Sequence, residues 1–343
     1  MTESGIRVSG SYGIREAPSK RYPDERNHAK YCVQRRPRYT IFDEAETFLN
    51  QIVLDEIPLM LTARPDDLPD FEKPPVVETV LSVQFEPLVD LRTAHLGLLW
   101  DRFRPTFPKT EDRAPLETVF EQFPEVAKNR LGLQLQTFEN PPIPRLWFSS
   151  DRGNEVIQVQ PDRFLKNWRK EGEGEEYPRY EACKAAFDRD FALFSEFLVA
   201  NHLGAPHVNQ CEVSYVNHIV AGEGWSSFGE FDRIFRFWRI PEDDIPGVGE
   251  DARGHLRFVI PGSDGKPVGR LHVDVQPAIR TSDKRPMYLF HLTARGQIGE
   301  SFEFFDLGRR WIVKSFAALT TPEMHKVWIR KDNRDHGPNN STR

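Results

Sequence analysis

Apolar and polar residues alternate in several short stretches between Lys73 and Lys331, which predicts strands with one apolar face. Two pairs of these stretches are each joined by a short Gly-containing turn, and each pair therefore predicts a β-hairpin. The predicted strands are the run after Pro74-Pro75, the hairpin at 145–160, the strand at 211–220, the hairpin at 255–276 and the strand at 287–295.

Helical periodicity separates these strands, because apolar residues recur three and four positions apart. The pattern predicts helices at 91–103, 161–170, 180–202, 228–237 and 304–319. A short last helix is expected from Thr321-Pro322, with the threonine as its cap and the proline in its first turn.

Hairpin connections require antiparallel pairing, and no regular strand–helix–strand repeat is present. The predicted class is therefore α+β, with antiparallel β-sheet and amphipathic helices on one face. The body spans residues 73–331, and possible halves at 73–205 and 206–331 share a similar order of elements. A duplicated β-α-β-β-α unit would explain that order.

Both ends of the chain differ from this body in composition. Residues 1–40 are rich in Arg, Lys, Pro, Gly and Tyr and are expected to form an extended or disordered basic arm. Residues 41–72 are acidic and predict a short helix and a Pro-rich linker, and residues 332–343 predict a disordered tail. The Tyr/Arg mixture of the arm suits single-stranded nucleic acid or an acidic partner protein, or else the arm covers the acidic segment.

Composition narrows the class of protein. The chain has 343 residues, of which 38% are hydrophobic, so a sizeable core can form. A net charge of -6 argues against nucleic-acid binding outside the arm. Three distant cysteines without a CxxC pair favour the reducing cytoplasm, and no signal peptide or membrane span is expected.

The common catalytic and phosphate-binding motifs are missing, so we assign no catalytic residue, no metal and no cofactor. Alternation nevertheless places His272 and Asp274 on one strand face, and His291 and Arg295 on another. If these faces coincide, the patch could bind an anion, carry out acid–base chemistry or hold a metal. The alternative is a water-facing surface with an Asp274–Arg295 cross-strand pair.

Three further polar residues lie within predicted strands. Glu78 follows the double proline on a half-polar face, and we expect a basic side chain or a helix N-terminus as its partner. Tyr215 and Asn217 share one face of the strand at 211–220. We expect Asn217 to bond a neighbouring backbone group or to point into a pocket.

The order of KPPVVETVLSVQF, RLWFSSDRGNEVIQVQPDRFLKNW, VSYVNHI and DLGRRWIVKSFAALTTPEMHKVW resembles a known bacterial family. That family is described as sporadically distributed and uncharacterised, with a Pro-Pro-x-x-Glu strand at its start and a Tyr-x-Asn strand in its middle. The resemblance covers residues 73–331. It implies this organisation and a patchy, accessory distribution in bacteria, without implying a reaction.

These observations favour a non-catalytic cytoplasmic module that binds a protein partner or a small molecule, of unknown oligomeric state. A hydrolase or metal-assisted enzyme that uses the His/Asp/Arg patch is the competing hypothesis. Nucleic-acid contact through the arm is a third.

Overall fold

A nine-stranded antiparallel sheet organises the described part of the chain. The computed structural model describes residues 64–65, 67–123, 143–172, 174–238, 247, 249–297 and 302–331. The strands are β1 (Val76–Phe85), β2 (Lys109–Arg113), β3 (Arg145–Ser149), β4 (Glu155–Gln160), β5 (Arg163–Arg169), β6 (Val208–Val220), β7 (Gly254–Pro261), β8 (Pro267–Ile279) and β9 (Pro286–Gly296). The expected antiparallel α+β class is confirmed.

The strands lie in the order β2-β3-β4-β5-β1-β6-β9-β8-β7, so the first strands of the two predicted halves meet at the centre. Each half then extends outward by hairpins, through four strands on one side and three on the other. Every paired neighbour is antiparallel. The shared order is compatible with two related halves, and duplication stays a prediction.

Helices cover one face of this sheet, which we call the helical face. They are α1 (Thr93–Phe103), α2 (Tyr180–Ala200), α3 (Phe231–Ile234), α4 (Glu303–Leu319) and α5 (Pro322–Val327). From β5, the ring of Phe164 stacks on Phe194 of α2 with centroids 5.2 Å apart. Gly308 lets α4 approach β9, because a Cβ there would lie 3.1 Å from that of Ala294. None of the described helices has the length and apolarity to span a membrane.

The helix predicted at 161–170 is wrong, because those residues form β5. Phe164, Lys166 and Trp168 point to the helical face and Arg163, Leu165 and Asn167 to the other, a period of two in which each face mixes polar with apolar residues. Pairing with both β1 and β4 outweighs the helical pattern.

One other prediction needs revision, one strand was not predicted, and several predictions fall outside the described residues. The helix expected at 228–237 shrinks to a 3₁₀ turn at Phe228–Glu230 and the single turn of α3. β2 was not predicted, since KTEDR has no apolar residue and is exposed throughout. The arm, the tail and most of the acidic linker lie outside the described residues.

A buried cation joins α2 to the sheet. Lys166 on β5 lies 2.8 Å from Asp190 on α2 and 2.7 Å from Glu155 on β4. The side chains of Lys166 and Asp190 are 4% and 2% exposed. The ammonium also lies 4.2 Å from the ring centroid of Phe107. A buried charge needs such partners, because its desolvation costs several kcal/mol.

We expect Lys166→Met to lower the free energy of unfolding by about 3 kcal/mol, because Asp190 would then keep only Arg189 as a counter-ion. Urea unfolding of the full chain measures this. Lys184→Met is the matched control, since it breaks the Lys184–Asp188 pair along the same helix and should cost below about 0.5 kcal/mol. Equal losses in the two variants would contradict the prediction.

Candidate functional site

The structure brings the predicted patch together on the face opposite the helices, which we call the polar face. Asp274 on β8 is directly opposite His291 on β9, and Arg270 is opposite Arg295. His272 lies between Arg270 and Asp274 on the same face of β8. The four predicted residues therefore share one surface.

The expected Asp274–Arg295 pair is wrong. Asp274 lies 2.7 Å from Nδ1 of His255 on β7, and Arg295 lies 2.6 Å from Glu212 on β6. The register is the reason, since it places Asp274 opposite His255 and Arg295 opposite Glu212.

An irregular segment at 114–123, which we call the strap, lies against the polar face after β2 ends. Side chains of the sheet bind its backbone. Gln160 accepts from the amide of Leu116 at 2.9 Å and donates to its carbonyl at 3.0 Å. Gln84 accepts from the amide of Val119 at 3.0 Å, and Arg163 donates to the carbonyl of Glu117 at 3.0 Å. The polar side chains of this face are therefore satisfied largely by the chain itself.

Glu121 of the strap is the anion that the patch binds. Its carboxylate, 5% exposed, pairs with Arg270, with Nε2 of His272 at 2.7 Å and with Arg295 at 3.4 Å. Burial alone would raise the pKa of Glu121, but the bond from His272 and the three cations outweigh it. The pKa is therefore lowered from its ordinary 4.5.

His291 is a largely buried imidazole of the patch. Burial lowers the pKa of His291, and this effect outweighs the carboxylates of Glu212, Asp274 and Glu78, which raise the pKa. The ring is therefore neutral at pH 7. Its Nε2 lies 3.1 Å from Oγ1 of Thr293, which in turn lies 2.8 Å from Oγ of Ser214. The imidazole thus belongs to a hydroxyl network inside the sheet.

The patch matches neither alternative from the sequence, the open functional site or the water-facing surface with an Asp274–Arg295 pair. His272 and Arg295 pair with Glu121 of the strap, whereas Asp274 pairs with His255 of β7. Within the described ranges, no three His, Cys, Asp or Glu side chains group in a way that could hold a metal ion.

Glu78 has a different partner from the expected one. Asn167 on β5 donates to its carboxylate at 2.7 Å. Among the described residues its bonded partner is thus an amide rather than a cation or a helix N-terminus. A half-exposed carboxylate does not require a counter-ion, because water solvates the remaining oxygen.

A second candidate site is a cleft on the helical face, where β1 and β6 meet α2 and α4. Its cavity volume is about 50 Å³. A bulge in the β1–β6 pairing between Val76 and Glu78 places Val76 in its wall. Bulges often lie beside binding sites because they redirect side chains. The described lining residues that matter below are Arg64, Val76, Tyr177, Tyr215, Asn217 and Arg309.

Asn217 does both things that the sequence left open. Its Nδ2 donates to the carbonyl of Phe290 at 2.9 Å, and the residue also lines the cleft. Its Oδ1 has no hydrogen-bond partner among the described residues, although Asn217 is 1% exposed. An unsatisfied buried acceptor of this kind costs about 1–3 kcal/mol.

Two tyrosines lie beside Asn217. The hydroxyl of Tyr177 donates to that of Tyr215 at 3.0 Å. Burial raises the pKa of Tyr215 to about 12 and that of Tyr177 well above its ordinary value. Both phenols therefore remain protonated at neutral pH and act as hydrogen-bonding groups.

Three arginines among the described lining residues of the cleft share two carboxylates. Arg309 on α4 lies 2.6 Å from Glu181 on α2. Arg179 lies 3.3 Å from Asp70, which also lies 3.5 Å from Arg64. These groups therefore leave one positive charge in excess beside the cleft.

The sequence pointed to Tyr215 and Asn217 but missed the rest of the cleft. Tyr177 ends an acidic stretch without hydrophobic periodicity, and its ring packs on Trp168 with centroids 5.4 Å apart. Arg309 could have been found, because it falls on the apolar stripe of α4 with Phe305, Ile312 and Phe316. No sequence pattern indicated a role for Glu121, because the strap has no hydrophobic periodicity.

Known protein families and curated proteins offer no match to this chain. The resemblance drawn from the sequence stays a prediction.

We expect Glu121→Gln to lower the free energy of unfolding by about 2 kcal/mol at pH 7, because three basic side chains lose their anion. Folding lowers the pKa of Glu121, so its contribution is complete above pH 4.5 and is lost as the pH falls through the lower, folded value. Urea unfolding should therefore show a smaller difference between variant and wild type at pH 3 than at pH 7.

Glu117→Gln is the control for this prediction, because Glu117 is exposed and binds the sheet through its carbonyl oxygen. It should change stability by less than about 0.5 kcal/mol. An equal loss at both pH values for Glu121→Gln would show that the carboxylate is not the source of the effect.

Proposed function

We propose that this chain is a non-catalytic binding protein and that it holds a small molecule in the cleft between β1, β6, α2 and α4. The observation that carries the proposal is that Asn217 lines that cleft and that its buried Oδ1 has no hydrogen-bond partner among the described residues. Buried polar atoms are normally paired, and a ligand that donates to Asn217 would supply the partner.

The surroundings of the cleft favour binding over catalysis. Its two phenols are protonated, and Asp70 is engaged by both Arg64 and Arg179. General-base catalysis needs a group that can take up a proton near neutral pH, and neither kind of group meets that need here.

The hydrolase hypothesis has less support than the binding hypothesis. It requires a patch open to substrate, and Glu121 engages His272 and Arg295 there. A hydrolytic site would have to release the strap first.

We also propose that the protein is cytoplasmic and bacterial. Cys183 and Cys211 are buried free thiols, and burial raises the pKa of each to about 12, which suits a reducing cytoplasm. The resemblance of its sequence favours an accessory protein of bacteria. Nucleic-acid binding through residues 1–40 stays a prediction, since those residues lie outside the described part.

We expect Val313→Trp to abolish ligand binding, because Val313 of α4 lines the cleft and an indole ring would fill it. Ligand-observed NMR of the full chain with a neutral fragment set measures this. Ala318→Trp is the matched control, since Ala318 is exposed on the same helix and lies away from the cleft lining.

Fragments that bind the wild type and Ala318→Trp, but not Val313→Trp, would support the cleft as the site. A set without a single saturable binder, or binding that Val313→Trp leaves intact, would overturn the proposal. Near-equal melting temperatures of the two variants exclude unfolding as the cause.

A further inference from the structure

We infer that the polar face is a docking surface for an extended acidic segment of a partner protein, and that the strap occupies this surface until such a segment displaces it. The polar face lies on the side of the sheet opposite the cleft. The inference therefore goes beyond the proposed small-molecule ligand and does not depend on it.

The polar face holds the strap largely by its backbone. Gln160 binds both the amide and the carbonyl of Leu116, and Arg270 donates to the carbonyl of Gln122 at 3.1 Å. No backbone–backbone hydrogen bond joins the strap to another described residue. Main-chain groups are the same in every peptide, so these side chains can bind another extended segment in the same way.

The strap buries little apolar surface of its own. None of its residues is buried as a whole, and Phe120 is 49% exposed. Segments with few buried apolar contacts open at a small fraction of the free energy of global unfolding. The strap can therefore leave the sheet while the core stays folded.

The side chains beneath the strap favour an acidic occupant. Among the described residues, Arg270 pairs with the carboxylate of Glu121 and with no other. His272 and Arg295 contact the same carboxylate. Once the strap has left, a carboxylate on the incoming segment would restore these charge-assisted hydrogen bonds.

The strap also indicates which residue should follow that carboxylate. The guanidinium of Arg270 lies 4.6 Å from the ring centroid of Phe123, two residues after Glu121. Such a contact between a cation and an aromatic ring is attractive. The expected partner segment thus carries an acidic residue with an aromatic residue two positions later.

A labelled peptide with the sequence APLETVFEQF, that of residues 114–123, is the probe. The strap of the wild type competes with it, because a tethered segment has a high effective concentration. Glu121→Gln weakens this competition, so fluorescence anisotropy should show the variant binding the peptide at least about tenfold more tightly than the wild type. Glu111→Gln is the matched control, since it removes an exposed carboxylate of β2 that pairs with Arg113, and it should bind like the wild type.

Two further changes test the recognition itself, both with the Glu121→Gln protein. A peptide that carries Glu121→Gln should bind at least about tenfold more weakly than the original peptide, and adding Arg270→Gln to the protein should have an effect of similar size. Arg310→Gln in the same protein is the control for the second change. It removes the same charge from α4, where Arg310 pairs with Asp67, and should leave the affinity unchanged.

The inference is overturned if Glu121→Gln shows no saturable binding of the peptide, or if Arg270→Gln leaves that binding intact. Tighter binding of an oligothymidylate of the same length would also overturn it and assign the face to single-stranded nucleic acid. Similar melting temperatures of the two double variants exclude unfolding as the cause. The proposed ligand of the cleft is tested separately, by its sensitivity to Val313→Trp.

Discussion

The antiparallel pairing of β1 with β6 is the constraint on which the rest of the structure depends. It joins the two halves and sets Leu81 opposite Val213 and Thr79 opposite Tyr215. A slip of this pairing by one residue would turn over the faces of one half of the sheet relative to the other, so that the aromatic layer under α2 and the one under α4 would no longer lie on the same side. The same pairing contains the bulge that places Val76 in the cleft wall, so the cleft depends on the pairing that joins the two halves.

The two faces of the sheet bury polar groups in different ways. On the helical face, Lys166 and Arg309 are matched by carboxylates of α2, Asp190 and Glu181, and Lys166 also pairs with Glu155 of β4. On the polar face, a strip of glutamine and arginine side chains binds the backbone of the strap, and Glu121 supplies the counter-charge. An irregular segment can lie there because the sheet replaces the hydrogen bonds that regular structure would have given it.

The sequence predicted those elements in which periodicity and turn chemistry agree. The hairpin around Gly153, the cap at Thr321 and the shared face of His272 and Asp274 all follow from local rules. β5 did not, because both of its faces are buried and mixed in polarity, so its period of two was hidden. The partners of Asp274 and Glu78 were missed because both depend on strand register. His255 faces Asp274 across a hairpin whose register the sequence does not fix, and Asn167 lies on a strand far from Glu78 in sequence.

The two ends of the Asn217 side-chain amide differ in their hydrogen bonding. Its bond to Phe290 would justify an asparagine for folding alone, yet the other end of the same amide is buried and unpaired. Thr79 and Trp225 also have unpaired buried atoms, but neither is among the described lining residues of the cleft. A leucine at position 217 would remove the unsatisfied acceptor and keep the volume. A leucine would, however, leave the carbonyl of Phe290 without the hydrogen bond that Nδ2 donates, so the amide has a role in the fold even though its Oδ1 has no partner among the described residues.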